Sequence, residues 1–137
     1  MQLDPSAFIA DQELIQALQT YAMKISCGGD CILFRQGDAP AGLYIINKGE
    51  VILTMSSLAG ESVLSIQVPP GSVLGLPGLI GNEPYTMTAI ANCGAEISFV
   101  PRNDVLALMQ TNPILSLKLL PVLAAEVRSA RQAMLEP

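Results

Sequence analysis

The sequence contains no histidine. That removes histidine-ligated zinc, haem and cupin-type iron sites, and with them a Ser–His–Asp triad. Charge is scarce too. Asp, Glu, Lys and Arg make up 14% of the chain, against roughly 25% in a typical soluble domain. Half of the residues are apolar. A chain so poor in charge is expected to hide apolar surface against a partner, most simply a second copy of itself. Net charge is −5, and Lys24, Lys48 and Lys118 are scattered rather than aligned in a stripe. No nucleic acid is therefore expected to bind this chain alone.

Long apolar runs are also missing. The longest, Ile114 to Ala125, is broken by Lys118 and Pro121 and is too short to span a bilayer, so no membrane partner is expected. The opening residues MQLDPSAF carry neither a basic n-region nor an apolar h-region, and no signal peptide is expected. The cysteines are three in number, an odd count that fits a reducing, cytoplasmic setting. Without a fourth cysteine, Cys27, Cys31 and Cys93 form a poor metal or cluster set. Cys27 and Cys31 read instead as small residues around a β-turn. No metal and no cofactor is expected.

A length of 137 residues is one domain by the usual prior, long enough for a single core. Asp4-Pro5 starts a helix, with Asp4 as cap and Pro5 at the first helical position. Phe8, Ile9, Leu14, Ile15 and Leu18 continue an apolar stripe through Thr20, with a break near Asp11, which caps the second part. From Tyr21 the period becomes two. Strands are expected at Ala22–Ile25, half-buried, and at Cys31–Phe34, Leu43–Asn47, Val51–Met55, Ser62–Val68, Met87–Asn92 and Glu96–Val100. Glycine turns separate most of them. Short strands at this even spacing indicate a sandwich or jelly roll. Helices follow from Asn103 to Gln110 and from Pro113 to about Leu135, the second kinked by Pro121. The expected plan is N-terminal helices over 1–20, a β-roll over 21–101 and C-terminal helices over 102–137.

The densest backbone punctuation lies between Gly71 and Ala91, GSVLGLPGLIGNEPYTMTAIA. Gly71, Gly75, Gly78 and Gly81, with Pro77 and Pro84, interrupt an apolar run. A short helix beginning near Pro77 would point free N–H groups outward, a cradle for an anion. This stretch resembles the phosphate-binding cassette of the cyclic-nucleotide-binding domains, the Crp-Fnr-like family of the catabolite activator protein. Gly71 and Gly75 match the family's glycines, and Thr86 matches its serine or threonine. Leu76 stands at the glutamate position and Tyr85 at the arginine position, the family's ribose and phosphate anchors. Phe34–Asp38 (FRQGD), Gly42–Val51 (GLYIINKGEV) and Val100–Asp104 (VPRND) resemble further landmarks in the family's order.

The resemblance implies a mainly β fold, a double-stranded β-helix or jelly roll flanked by N-terminal helices and one long C-terminal helix. It implies a regulatory sensor domain and not an enzyme, and no nucleophile–base pair is legible. With both anchors replaced, cAMP is not expected to bind in the usual way. The candidate ligand residues are Gly75, Leu76, Tyr85, Thr86 and Leu64, and any ligand would be a small molecule. The alternatives are a ligand-free dimerisation or adaptor module and a cyclic-nucleotide binder using backbone donors. The family's DNA-binding members carry a helix-turn-helix domain after the long helix, and this chain would then be the sensor half of a transcription regulator. On the last helix, Ile114, Leu117, Leu120, Ala124, Val127, Ala130 and Met134 mark one face, while Leu115, Leu119, Val122 and Leu123 make its first half apolar nearly all round. A homodimer is expected there, with Leu117, Leu120, Ala124 and Val127 near the two-fold axis.

Overall fold

The period-two stretches become strands in a computed structural model that describes residues 4–135. Residues 1–3 and 136–137, at the ends of the expected helical segments, lie outside the described residues. Asp4 caps a 3-10 turn, Pro5–Phe8, by accepting the Ser6 N–H. Asp11 caps α1, Gln12–Gln19, by accepting from Glu13 and Leu14. Then come β1 (Met23–Ser26), β2 (Cys31–Phe34), β3 (Gly42–Lys48), β4 (Val51–Ser56) and β5 (Ser62–Val68). The two-residue β6 (Val73–Leu74) leads into α2 (Leu76–Gly81). Two strands, β7 (Thr88–Ala91) and β8 (Glu96–Pro101), close the roll, and α3 (Arg102–Thr111) and α4 (Pro113–Leu135) end the described chain. The α4 helix runs through Pro121 without interruption.

The strands form two antiparallel sheets, ordered β1-β8-β3-β6 and β2-β7-β4-β5. Their burial explains their sequences. In β4, Val51, Leu53 and Met55 are buried while Ile52 and Ser56 are exposed. In β5, Leu64, Ile66 and Val68 are buried. These strands cover the roll interior with one face and meet water with the other, hence the alternation. By contrast, β3 is buried from Gly42 to Ile46. Tyr44 and Ile46 join the interior cluster, whereas Leu43 and Ile45 face a second cluster with Leu14, Leu18, Leu79, Val105 and Leu119 from the helices. Helices thus cover the outer face of the first sheet.

Three expectations need correction. β1 is covered less than expected: Ile25 is partly buried against the interior cluster, but Met23 is 55% exposed. Cys27 and Cys31 are not merely small turn residues: the turn brings their Cα atoms to 6.0 Å and a disulfide joins them, within the usual disulfide span. The two residues of β6 were too few for a period to register, and they pair with Tyr44 and Ile45 of β3.

Gly42 opens β3 in a space no side chain can share. A Cβ there would sit 2.2 Å from the Val100 carbonyl oxygen and 2.7 Å from the Phe99 ring. Gly42→Ala should therefore lower stability by roughly 1–3 kcal/mol, measured by urea denaturation. A variant as stable as the wild type would show that β3 and β8 have freedom to separate.

Candidate functional site

Gly75 follows β6 in the left-handed region, at φ 94° and ψ 8°, and serves as the N-cap of α2. An L-residue would be strained there, and a Cβ would also meet the Tyr85 ring at 3.1 Å. With no side chain, Gly75 offers α2 no local cap. Pro77, in the first turn, removes one N–H that would otherwise lack a partner. The helix is fixed instead from a distance. At its C-terminal end Arg102 donates through Nε to the Leu79 carbonyl at 3.1 Å. Asn82, left-handed at φ 53°, donates its backbone N–H to Gly78.

At the N-terminal end the partner is Glu126 of α4. Its Oε1 accepts the Gly75 N–H at 2.9 Å, and the Leu76 N–H lies near enough to lower its pKa. Glu126 is 3% exposed. Burial pushes its pKa up to about 8, while the two backbone N–H groups pull it down. Sequence reasoning missed this residue, although a signal was present. Leu115, Leu119, Val122, Glu126, Ser129 and Ala133 recur in steps of four and three, which places them on one face of α4. All six are buried. An acid on an otherwise apolar or small stripe must find partners inside.

Tyr85 lies beside this contact. Its hydroxyl donates to the Gly42 carbonyl at 2.7 Å and accepts from the N–H groups of Ala41 and Gly42 at 3.1 and 3.2 Å. The ring stacks on Phe34 with centroids 4.3 Å apart. Phe34 meets Tyr44 at 5.2 Å, and Tyr44 meets Phe99 at 5.0 Å. Burial raises the Tyr85 pKa, and it pushes Tyr44 up to about 12, so both phenols are neutral near pH 7.

The expected ligand residues do not all converge. Gly75 and Tyr85 are adjacent. Leu64, 5% exposed, shares the interior cluster with Tyr85 and with Ala133 of α4. Leu76 is fully buried in the other cluster, with Leu79, Val105 and Leu119. Thr86 is exposed. Ser129 is buried, but its hydroxyl bonds back to the Ala125 carbonyl at 2.8 Å. Among the described residues no group of three or more Cys, Asp or Glu side chains could hold a metal ion. Of the expected dimer residues, Leu117, Leu120 and Val127 are 66%, 52% and 47% exposed, and Ala124 is half-buried. No described helix is long and apolar enough to cross a membrane.

A family model described as "Cyclic nucleotide-binding domain" matches residues 24–112. The "Cyclic AMP receptor protein" of Thermus thermophilus is 29% identical over 122 residues, which cover 89% of this chain and 56% of that protein. The chain thus spans about half the length of that curated relative. The crystal structure of Thermus thermophilus catabolite activator protein superposes with a TM-score of 0.75 at 24% identity, over 96% of this chain and 62% of the other. The N-terminal domain of a transcriptional regulator from Streptomyces coelicolor A3(2) gives 0.64 at 23% identity, over 98% and 93%. At these identities the two structures establish the fold.

The buried acid gives stability a pH dependence of defined sign. With a native pKa near 8 and an ordinary value of 4.5, the folded chain holds a proton that the unfolded chain releases between those values. Stability from Glu126 is therefore full below the lower value and lost as pH rises towards the upper one. Wild-type melting temperature should fall between roughly pH 5 and 9. Glu126→Gln, always neutral, should flatten the curve. Parallel curves in scanning calorimetry would exclude Glu126 as the source.

Proposed function

The chain belongs to the cyclic-nucleotide-binding domain family, of Crp-Fnr-like type, and from that premise we propose that it is a sensor domain with an altered ligand preference, relaying its state through α4. The observation that carries this reading is Tyr85. At the position of the family's phosphate-anchoring arginine stands a neutral phenol, already committed to Gly42 and Ala41. Leu76, at the glutamate position, faces the other cluster. A cyclic nucleotide would bring a phosphate and a ribose hydroxyl into a site lacking both anchors. Each charged hydrogen bond lost is worth roughly 1.5–3 kcal/mol, so affinity should drop by about two to four decades. The ligand would be a small molecule less charged than a cyclic nucleotide.

A second reading, a ligand-free dimerisation module, is favoured by the Glu126 contact, which already uses the Gly75 N–H of the cassette. A thermal-shift ligand screen separates the two. A true ligand at a hundred times its Kd should add about 2.7 kcal/mol of stability. For cAMP and cGMP, calorimetry should give no Kd below about 10 μM. Tighter binding would overturn the altered-ligand reading and favour a binder that uses backbone donors.

The relay would run through a homodimer. Leu117, Leu120, Ala124, Val127, Arg131 and Met134 recur in steps of three and four, the spacing of a parallel helix pair. Apart from half-buried Ala124 they are exposed. Burying a large aliphatic side chain contributes roughly 1.5–3 kcal/mol, so Leu117 and Leu120 from two copies would carry much of the association. Leu117→Glu with Leu120→Glu should give monomers in sedimentation, with the β-roll retained in circular dichroism. A wild type that is monomeric at about 100 μM would sink the dimer.

A further inference from the structure

Glu126 is a long-range cap. It lies 51 residues from Gly75 in sequence, on a helix that packs against α2, and it takes the Gly75 N–H at the mouth of the cassette. Burial raises its pKa, and the Gly75 and Leu76 N–H groups oppose that rise. Protonated or ionised, a carboxyl oxygen occupies the acceptor position in front of Gly75. Ala133, two turns further along α4, belongs to the interior cluster that also holds Leu64 and Tyr85, and Ala130 packs against it.

We propose that Glu126 is an internal occupant of the cassette: its carboxyl takes the Gly75 N–H that an anionic ligand would need, so anion binding at Gly75–Leu76 and docking of the second half of α4 exclude each other. The contact is autoinhibitory toward phosphate esters, and it makes Glu126 a determinant of ligand charge. For the class of ligand excluded, the inference rests on the sensor-domain reading above. It adds a cause for the weak nucleotide affinity that is separate from Tyr85 and Leu76. A ligand able to donate a hydrogen bond to the carboxyl without displacing it would be tolerated.

The test follows the backbone amides of Gly75 and Leu76 by nitrogen-15 NMR of the described chain. In the wild type, inorganic phosphate at about 10 mM or cAMP at about 1 mM should leave both resonances in place. In Glu126→Ala both should shift saturably, with half-saturation at least tenfold below the wild-type value. Resonances that stay fixed in Glu126→Ala while circular dichroism shows an intact roll would overturn the proposal. So would a wild type that shifts equally. If Glu126→Ala does not fold, the wild type and Glu126→Gln decide between them. The Gly75 and Leu76 resonances should follow one buried acid through a pH titration in the former and not in the latter. A Gly75 amide that stays fixed while the Glu126 carboxyl carbon itself titrates would show the two are not in contact and end the proposal. Calorimetric cAMP binding that leaves Gly75 unmoved would sink the altered-ligand reading alone, while fixed amides in a non-binding Glu126→Ala would sink this inference alone.

Discussion

Backbone N–H groups buried under a helix must find an acceptor, and the N-terminus of α2 has none of its own. Gly75 has no side chain, and the first turn offers no capping side chain. An unsatisfied buried donor costs roughly 1–3 kcal/mol. Glu126 removes that cost for Gly75, at the expense of burying an acid. The pKa near 8 records the compromise: the acid stays close to neutral rather than bearing a full charge in an apolar setting. The position of α4 and the conformation of the cassette are therefore one structural fact. Moving either leaves donors unpaired or a carboxyl without partners.

Tyr85 settles the neighbouring space by a similar exchange. A buried phenol needs hydrogen bonds, and Gly42 and Ala41 supply them because the chain at the start of β3 approaches without a side chain. Its ring extends the row Phe34, Tyr44, Phe99 across the roll interior. Where the family places a cation, this chain has stacked rings and a neutral hydroxyl. In the proposed reading the site exchanges a charge for packing, and the ring row holds this side of the roll together.

What the sequence could reveal follows from what burial does to each element. β4 and β5 were legible because one face is wet, and β2 because turn residues bound it. β3 also read as a strand, but its unbroken apolar run hid the fact that its alternate residues serve two clusters. Met23 misled, since its period-two position with Ile25 suggested a cover that only Ile25 has. The Cys27–Cys31 bond depends on the geometry of the turn that joins β1 to β2, which composition does not encode. The glycines announced the cassette, and Leu76 and Tyr85 announced its departure from the family pattern. Glu126 stayed hidden because its partner is a backbone group 51 residues away, and two stripes on α4 competed for attention.

Those two stripes bear on how a signal could leave the roll. One faces inward through Leu119, Val122, Glu126 and Ser129; the other faces outward through Leu117, Leu120, Ala124 and Val127. Successive residues of a helix differ by roughly 100° around its axis, so Glu126 and Val127 cannot turn independently. In the proposed dimer, any rotation that withdraws the carboxyl from Gly75 carries Val127 and Ala124 around by the same angle, against the partner helix. Packed helix surfaces fit at a few discrete settings rather than continuously, so a small shift at the cassette would be converted into a choice between dimer geometries. The inward contact is polar and buried, where unpaired groups are costly. The outward one is apolar and adaptable. The cassette contact would therefore set the register of the helix, and the seam between copies would follow it.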